Sequence, residues 1–263
     1  MPYAENDGVK LFWEETGVGE PVLLIMGLGW ASYLWNRTRK VLAEKYRVIT
    51  FDNRGVGRSD VPEGPYPIPT MASDAAAVLD AAGVKSAHIF GISMGGMIAQ
   101  EFAINYPDRV KSLILGCTAA GGPAALQPAP EVLQVLMRRG MTPQEAAEAI
   151  DPFIYHPDAS PELKDEELKL RMEWYPTPEG YLSQLQGIMM WEAYSRIGQI
   201  KAPTLVLHGD VDQLIPAGNG KLIAERIPNA KLVTIAKASH IFPTDQPEIT
   251  REALLTFLAA QHS

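Results

Sequence analysis

Gly91-Ile92-Ser93-Met94-Gly95-Gly96 follows the apolar run Ala87-His88-Ile89-Phe90. It opens a stretch in which Met97, Ile98, Phe102 and Ala103 recur at helical spacing. A strand, a Gly-x-Ser-x-Gly turn and a helix, in that order, make a nucleophile elbow. The turn is so tight that bulky neighbours would collide, which accounts for glycine at 91 and 95. The hydroxyl of Ser93 is then expected at the carboxyl edge of a sheet. Without its flanks the segment is only a Gly-rich turn with a passenger serine; the strand and helix decide for the nucleophile.

Outward from this turn the chain alternates strands and helices. Asn6-Asp7-Gly8 is a hairpin turn signal between two short extended segments. Pro21-Val22-Leu23-Leu24-Ile25-Met26 is continuously apolar, as in a strand covered on both faces. Further strands are expected at 46–51, 87–90, 110–115, 203–207 and 232–235, with helices at 70–82, 94–105, 217–226 and 247–260. That rhythm predicts an α/β fold with a mostly parallel sheet and right-handed crossovers. Between about Thr118 and Ile197 the strand pattern stops and helix starts take over. Thr142-Pro143-Gln144-Glu145 carries the capping-box residues with proline at the first helical position, and Ser160-Pro161 and Thr177-Pro178 are weaker versions. The expected organisation is a core at 1–117 and 197–263, with a helical cap at 118–196.

The chain has 263 residues, suiting one large domain with an insertion. Its formal net charge is −8 and it has no basic block, which argues against nucleic acid as a partner. The single cysteine, Cys117, permits no intrachain disulfide. The first residues lack a basic region with an apolar core, and no apolar run approaches the ~20 residues of a membrane span. A cytoplasmic protein without a membrane association is expected.

A serine hydroxyl needs a base, usually histidine, and that base needs an orienting carboxylate. With this elbow the chain order is serine, acid, histidine. His88 precedes Ser93, His156 lies in the insertion, and His262 adjoins the terminus. His208 ends a strand and suits a structural role. His240 sits in a loop beyond the last strand, where an imidazole can reach over Ser93. The loop before it offers Asp210 and Asp212. Asp212 is preferred, because Asp210 directly follows the turn glycine and can tie down the loop through local hydrogen bonds. Asp245 falls after the histidine, and no carboxylate lies near Cys117.

A developing oxyanion needs two backbone N–H donors. Met94, just after the nucleophile, is one candidate, and Leu28 in Met26-Gly27-Leu28-Gly29-Trp30 is the other. Gly55-Val56-Gly57 lacks the third glycine of a dinucleotide fingerprint, and no His/Cys/Glu cluster has metal-ligand spacing. Neither a metal nor an organic cofactor is expected.

Five stretches, in order, now resemble the α/β-hydrolase fold family: Met26-Gly27-Leu28-Gly29, Phe51 to Asp60, Gly91 to Gly96, His208-Gly209-Asp210-Val211-Asp212, and Ser239-His240. The resemblance implies an eight-stranded, mostly parallel sheet with a helical cap after the sixth strand, and puts the acid at Asp212. Many members have a histidine before the first oxyanion glycine; here it is Met26. The Leu-Ile-Met-Gly-Leu-Gly form is similar to a branch containing methyl esterases and enol-lactonases.

The resemblance and the residues together imply a serine hydrolase of carboxylic esters or lactones acting on a small molecule. Perhydrolase or cofactor-free haloperoxidase chemistry, and aminopeptidase activity, are alternatives on the same triad; a non-enzymatic ligand receptor is the remaining class. Expected pocket walls are Leu28, Trp30, Met94 and Ile241, with Trp174, Tyr175, Met189, Met190 and Trp191 from the insertion. No cation obviously enters the site, although Arg138, Arg139 and Arg171 lie in the insertion.

Overall fold

The computed structural model describes residues 2–138 and 140–261; Arg139 and His262, named above, lie outside the described residues. Its strands are β1 (Tyr3–Asn6), β2 (Val9–Thr16), β3 (Glu20–Ile25), β4 (Tyr46–Phe51), β5 (Ala87–Ile92), β6 (Val110–Gly116), β7 (Thr204–Gly209) and β8 (Lys231–Ile235). Its helices are α1 (Asn36–Leu42), α2 (Ile68–Ala81), α3 (Met94–Asn105), α4 (Pro130–Leu136), α5 (Pro143–Ile154), α6 (Pro161–Glu173), α7 (Pro178–Met189), α8 (Gly218–Arg226), α9 (Phe242–Asp245) and α10 (Pro247–Ala259).

The strands form one eight-stranded sheet in the order β1-β2-β4-β3-β5-β6-β7-β8. β2 runs antiparallel to both its neighbours, and every other pairing is parallel. The β1–β2 hairpin turns at Asp7 and Gly8, both at positive φ (51° and 77°), as a two-residue hairpin loop requires.

The central strands are buried on both faces, and their alternation sorts the core into two layers. Val22 and Leu24 of β3 join Val48, Phe90 and Ile114 beneath α1 and α10. Leu23 and Ile25 join Ile49, Ile89 and Leu113 beneath α2, α3 and α8. Each such aliphatic side chain contributes about 1.5–3 kcal/mol on full burial. A two-sided core of this kind fixes the register of β5 and so the depth at which the elbow emerges.

Between β6 and β7 the described residues carry four α-helices, α4 to α7, a 3-10 turn at Ile197–Gln199, and one isolated bridge, Gly121 to Glu192. The three helix starts read from sequence are N-caps. Thr142 Oγ1 accepts from Glu145 N while Glu145 Oε2 accepts from Thr142 N at 2.8 Å. Ser160 and Thr177 hydroxyls cap α6 and α7. Among the described residues, no helix is long and apolar enough to cross a membrane.

Candidate active site

The turn from β5 into α3 leaves no room for side chains at positions 91 and 95, two residues either side of Ser93. A Cβ on Gly91 would lie 2.1 Å from Gly95 O, and a Cβ on Gly95 would lie 2.1 Å from Ile25 O. Ser93 itself is held at φ 54°, ψ −124°, a conformation L-residues rarely adopt. Its N–H donates to Gly116 O at 2.9 Å, stitching the turn to β6.

The loop after β7 carries Asp212, and the loop after β8 carries His240. His240 Nδ1 lies 2.9 Å from Asp212 Oδ2. Asp212 Oδ1 accepts from Leu214 N and Ile215 N, both at 2.9 Å. Burial opposes ionisation of Asp212, but the facing imidazoles of His240 and His208 hold its pKa below the ordinary carboxylate value. An ionised acceptor there assigns the proton of His240 to Nδ1 and leaves Nε2 as a lone pair.

His208 has a part that sequence reasoning saw only as structural. Its Nε2 lies 2.8 Å from Ile215 O and 3.2 Å from Asp212 Oδ2. A carbonyl can only accept, so Nε2 carries the proton and faces the carboxylate as a second donor. Asp210 instead accepts from Ala238 N at 3.2 Å and braces the His240 loop. His88 is buried against Ser112 Oγ at 2.8 Å, and His156 N donates to Asp245; neither lines the cavity described below.

Ser93 and His240 line the same cavity, of about 760 Å³. No hydrogen bond joins their side chains among the described residues; such bonds often tighten only when substrate arrives. Gly27 brings the loop after β3 against the nucleophile, since a Cβ there would lie 3.0 Å from Ser93 Cβ. Asn53 Nδ2 holds this loop through Met26 O at 2.9 Å. Among the described residues, the N–H groups of Leu28 and Met94 donate to no backbone carbonyl.

The helical insertion grips both sides of the site. Gln184 of α7, fully buried, accepts from Gly29 N at 2.8 Å through Oε1 and donates to Arg54 O at 2.8 Å through Nε2. At the other side Ile241 N donates to Ile154 O at 2.8 Å, and Ser239 Oγ donates to Phe153 O at 3.2 Å. The loops of Leu28 and His240 thus each take part of their shape from the insertion.

Of the expected walls, Leu28, Trp30, Met94, Trp191 and Ile241 line the cavity, as does Met189. The indole N–H of Trp191 donates to Glu101 Oε2 at 2.8 Å, fixing the ring beside α3. Trp174, Tyr175 and Met190 do not line it, which corrects the expectation from sequence. Trp174 sits against Tyr33, ring centroids 6.0 Å apart, and under Arg58; Met190, just past α7, is 71% exposed. Sequence reading missed Tyr181, Leu185 and Ile188, which line the cavity from one face of α7; their i, i+4, i+7 spacing was the available signal. It also placed no cation in the site, whereas Arg138 and Arg171 both border the cavity.

A family model described as the alpha/beta hydrolase fold matches residues 20–247. The chain belongs to the alpha/beta hydrolase fold family. Its eight-stranded, mostly parallel sheet with flanking helices is that of a hydrolase in this family. It is similar to the "Putative carbamate hydrolase RutD" of Azorhizobium caulinodans, 34% identical over 98% of each chain. It is also similar to the poly(3-hydroxyalkanoate) depolymerase of Ectopseudomonas oleovorans, 36% identical over 90% of this chain and 84% of that one. Among solved structures, a thermophilic esterase from Thermogutta terrifontis, with malate bound, superposes with a TM-score of 0.86 at 30% identity, covering 100% of this chain and 99% of the other.

Proposed function

We propose that this hydrolase cleaves carboxylic esters or lactones through an acyl-enzyme on Ser93. The observation that carries the reading is the 2.9 Å contact of His240 Nδ1 with Asp212, on an imidazole that shares its cavity with Ser93. Residues 118–196 act as the cap over this cavity.

In this reading Asp212 holds the Nδ1–H tautomer, so His240 Nε2 takes the proton of the Ser93 hydroxyl as its oxygen attacks the carbonyl carbon. The N–H groups of Leu28 and Met94 donate to the tetrahedral oxyanion, each worth about 10²–10³ in rate by analogy with a measured oxyanion site. His240 then returns the proton to the leaving alkoxide. A water, deprotonated by the same nitrogen, attacks the acyl-enzyme and releases the acid. The charged state of Asp212 stabilises the imidazolium in both steps.

The apolar walls, including Trp30, Met94 and Ile241, favour a hydrophobic body on the substrate. Similarity to a named carbamate hydrolase favours carbamates as a second substrate class, since the carbonyl would meet the same nucleophile and donors. A panel of p-nitrophenyl esters graded by acyl length, with several lactones and an N-substituted carbamate, tests the reading. Ester or lactone turnover that disappears in Ser93→Ala supports it; turnover untouched by that substitution removes it.

A further inference from the structure

A small polar niche adjoins the apolar cavity. Trp30, Arg138 and Arg171 line both spaces, and Gly29, Tyr33, Tyr175 and Pro176 complete the niche. We propose that this niche binds a carboxylate, so that the preferred substrate is an ester or lactone carrying a free carboxylate away from its scissile carbonyl. The substrate class rests on the hydrolase reading above; the binding subsite does not.

The niche is rich in donors. Arg138 Nη1 donates to Tyr175 Oη at 2.8 Å and, among the described residues, Arg138 has no carboxylate partner. Because Tyr175 oxygen accepts that bond, its own O–H remains to donate. Arg171 is 4% exposed, and Asp151 takes one of its donors at 3.0 Å. The Tyr33 hydroxyl has no hydrogen-bond partner among the described residues, and burial pushes its pKa up, keeping it a donor. No carboxylate lines the niche.

The cations are also held in place. The Arg138 guanidinium lies 3.7 Å from the centroid of the Tyr181 ring, and Tyr181 Oη donates to Leu136 O at 2.8 Å. Arg171 lies 5.2 Å from the Trp30 ring centroid. Arg171 already has Asp151, whereas Arg138, half-buried, has no acid among the described residues and offers its charge to an anion that enters the niche. A carboxylate oxygen accepts charge-assisted bonds from guanidinium N–H groups and from phenolic O–H groups alike. The free space, about 10 Å³, takes one oxygen-sized group, so the carboxylate enters by its tip and the rest of the molecule stays in the cavity.

Calorimetric titration of the wild-type protein with hexanoate and hexan-1-ol tests the subsite without turnover. Hexanoate is expected to bind about tenfold tighter than the alcohol or better, as charge-assisted hydrogen bonds allow. Arg138→Gln should abolish that preference, and Arg138→Lys should keep part of it, separating lost charge from lost folding. With monoethyl and diethyl adipate, the kcat/KM ratio of half-ester to diester should fall about tenfold in Arg138→Gln. Equal binding of hexanoate and hexanol, a preference that survives Arg138→Gln, or an unchanged ester ratio overturns the proposal. An Arg138-dependent preference for hexanoate, without hydrolysis of either ester, leaves the subsite standing and removes the hydrolase reading.

Discussion

His240 Nδ1 meets Asp212 Oδ2 at 2.9 Å across 28 positions of sequence. The same oxygen faces His208 Nε2 at 3.2 Å, and the other oxygen takes two backbone N–H groups. The carboxylate is therefore a fixed acceptor with little freedom to turn away from His240. Asp212→Asn should lower kcat by about 10⁴ with a smaller change in KM, because an amide can present N–H and favour the wrong tautomer. Steady-state kinetics on a p-nitrophenyl ester reads the split; a variant with kcat within tenfold of wild type would remove Asp212 from the mechanism.

The same carboxylate makes a pH prediction. Its folded pKa lies below the unfolded value of about 3.9. Its contribution to stability is then fully present above that value and is lost as pH falls through the folded pKa. The melting temperature of wild type minus that of Asp212→Asn should stay constant from pH 7 to 5 and shrink below about 4. A difference that grows in acid contradicts the assignment.

Gln184 joins the insertion to the loop of Leu28. Gln184→Leu would leave the Gly29 N–H and the Arg54 carbonyl without their partner. A buried group orphaned in this way costs about 1–3 kcal/mol. We expect a lower melting temperature and a kcat reduced about 10-fold or more, by analogy with loss of oxyanion donors. Gln184→Glu keeps the acceptor for Gly29 and should restore more activity than Gln184→Leu, a difference that a purely structural role in the insertion does not produce.

Ser93 occupies φ 54°, where a Cβ is strained. Ser93→Gly should be more stable than Ser93→Ala by about 1 kcal/mol, since only glycine adopts this conformation freely. Both variants should be inactive. Equal denaturation midpoints would show that the elbow carries no backbone strain.

Strong local signals made most of the fold legible. The helix after the elbow spans Met94–Asn105 and the strand at Tyr46–Phe51 has the bounds expected, because tight turns and loop residues punctuate both. Asn6-Asp7-Gly8 fixed the hairpin through two positive-φ positions. The elbow motif pointed to Ser93 and loop order to His240, while Asp212 was separated from Asp210 only by the turn glycine before Asp210 and by the family resemblance. The insertion was legible only as helices with caps. Which side chains turn inward depends on helix rotation and on the path between helices, so Met189 borders the cavity while Met190 faces out. Trp174 was drawn away by Tyr33 and Arg58, partners far apart in sequence. Arg138, at φ 50°, has its direction set by a left-handed residue that no periodicity reveals.

The measurement closest to the central claim is the site and rate of covalent labelling by a fluorophosphonate, read by mass spectrometry of peptides from wild type, Ser93→Ala and His240→Ala. The account predicts a single adduct on the peptide containing Ser93, absent from Ser93→Ala and formed far more slowly in His240→Ala. An adduct on another residue, or ester turnover with Ser93 unlabelled and dispensable, would contradict it.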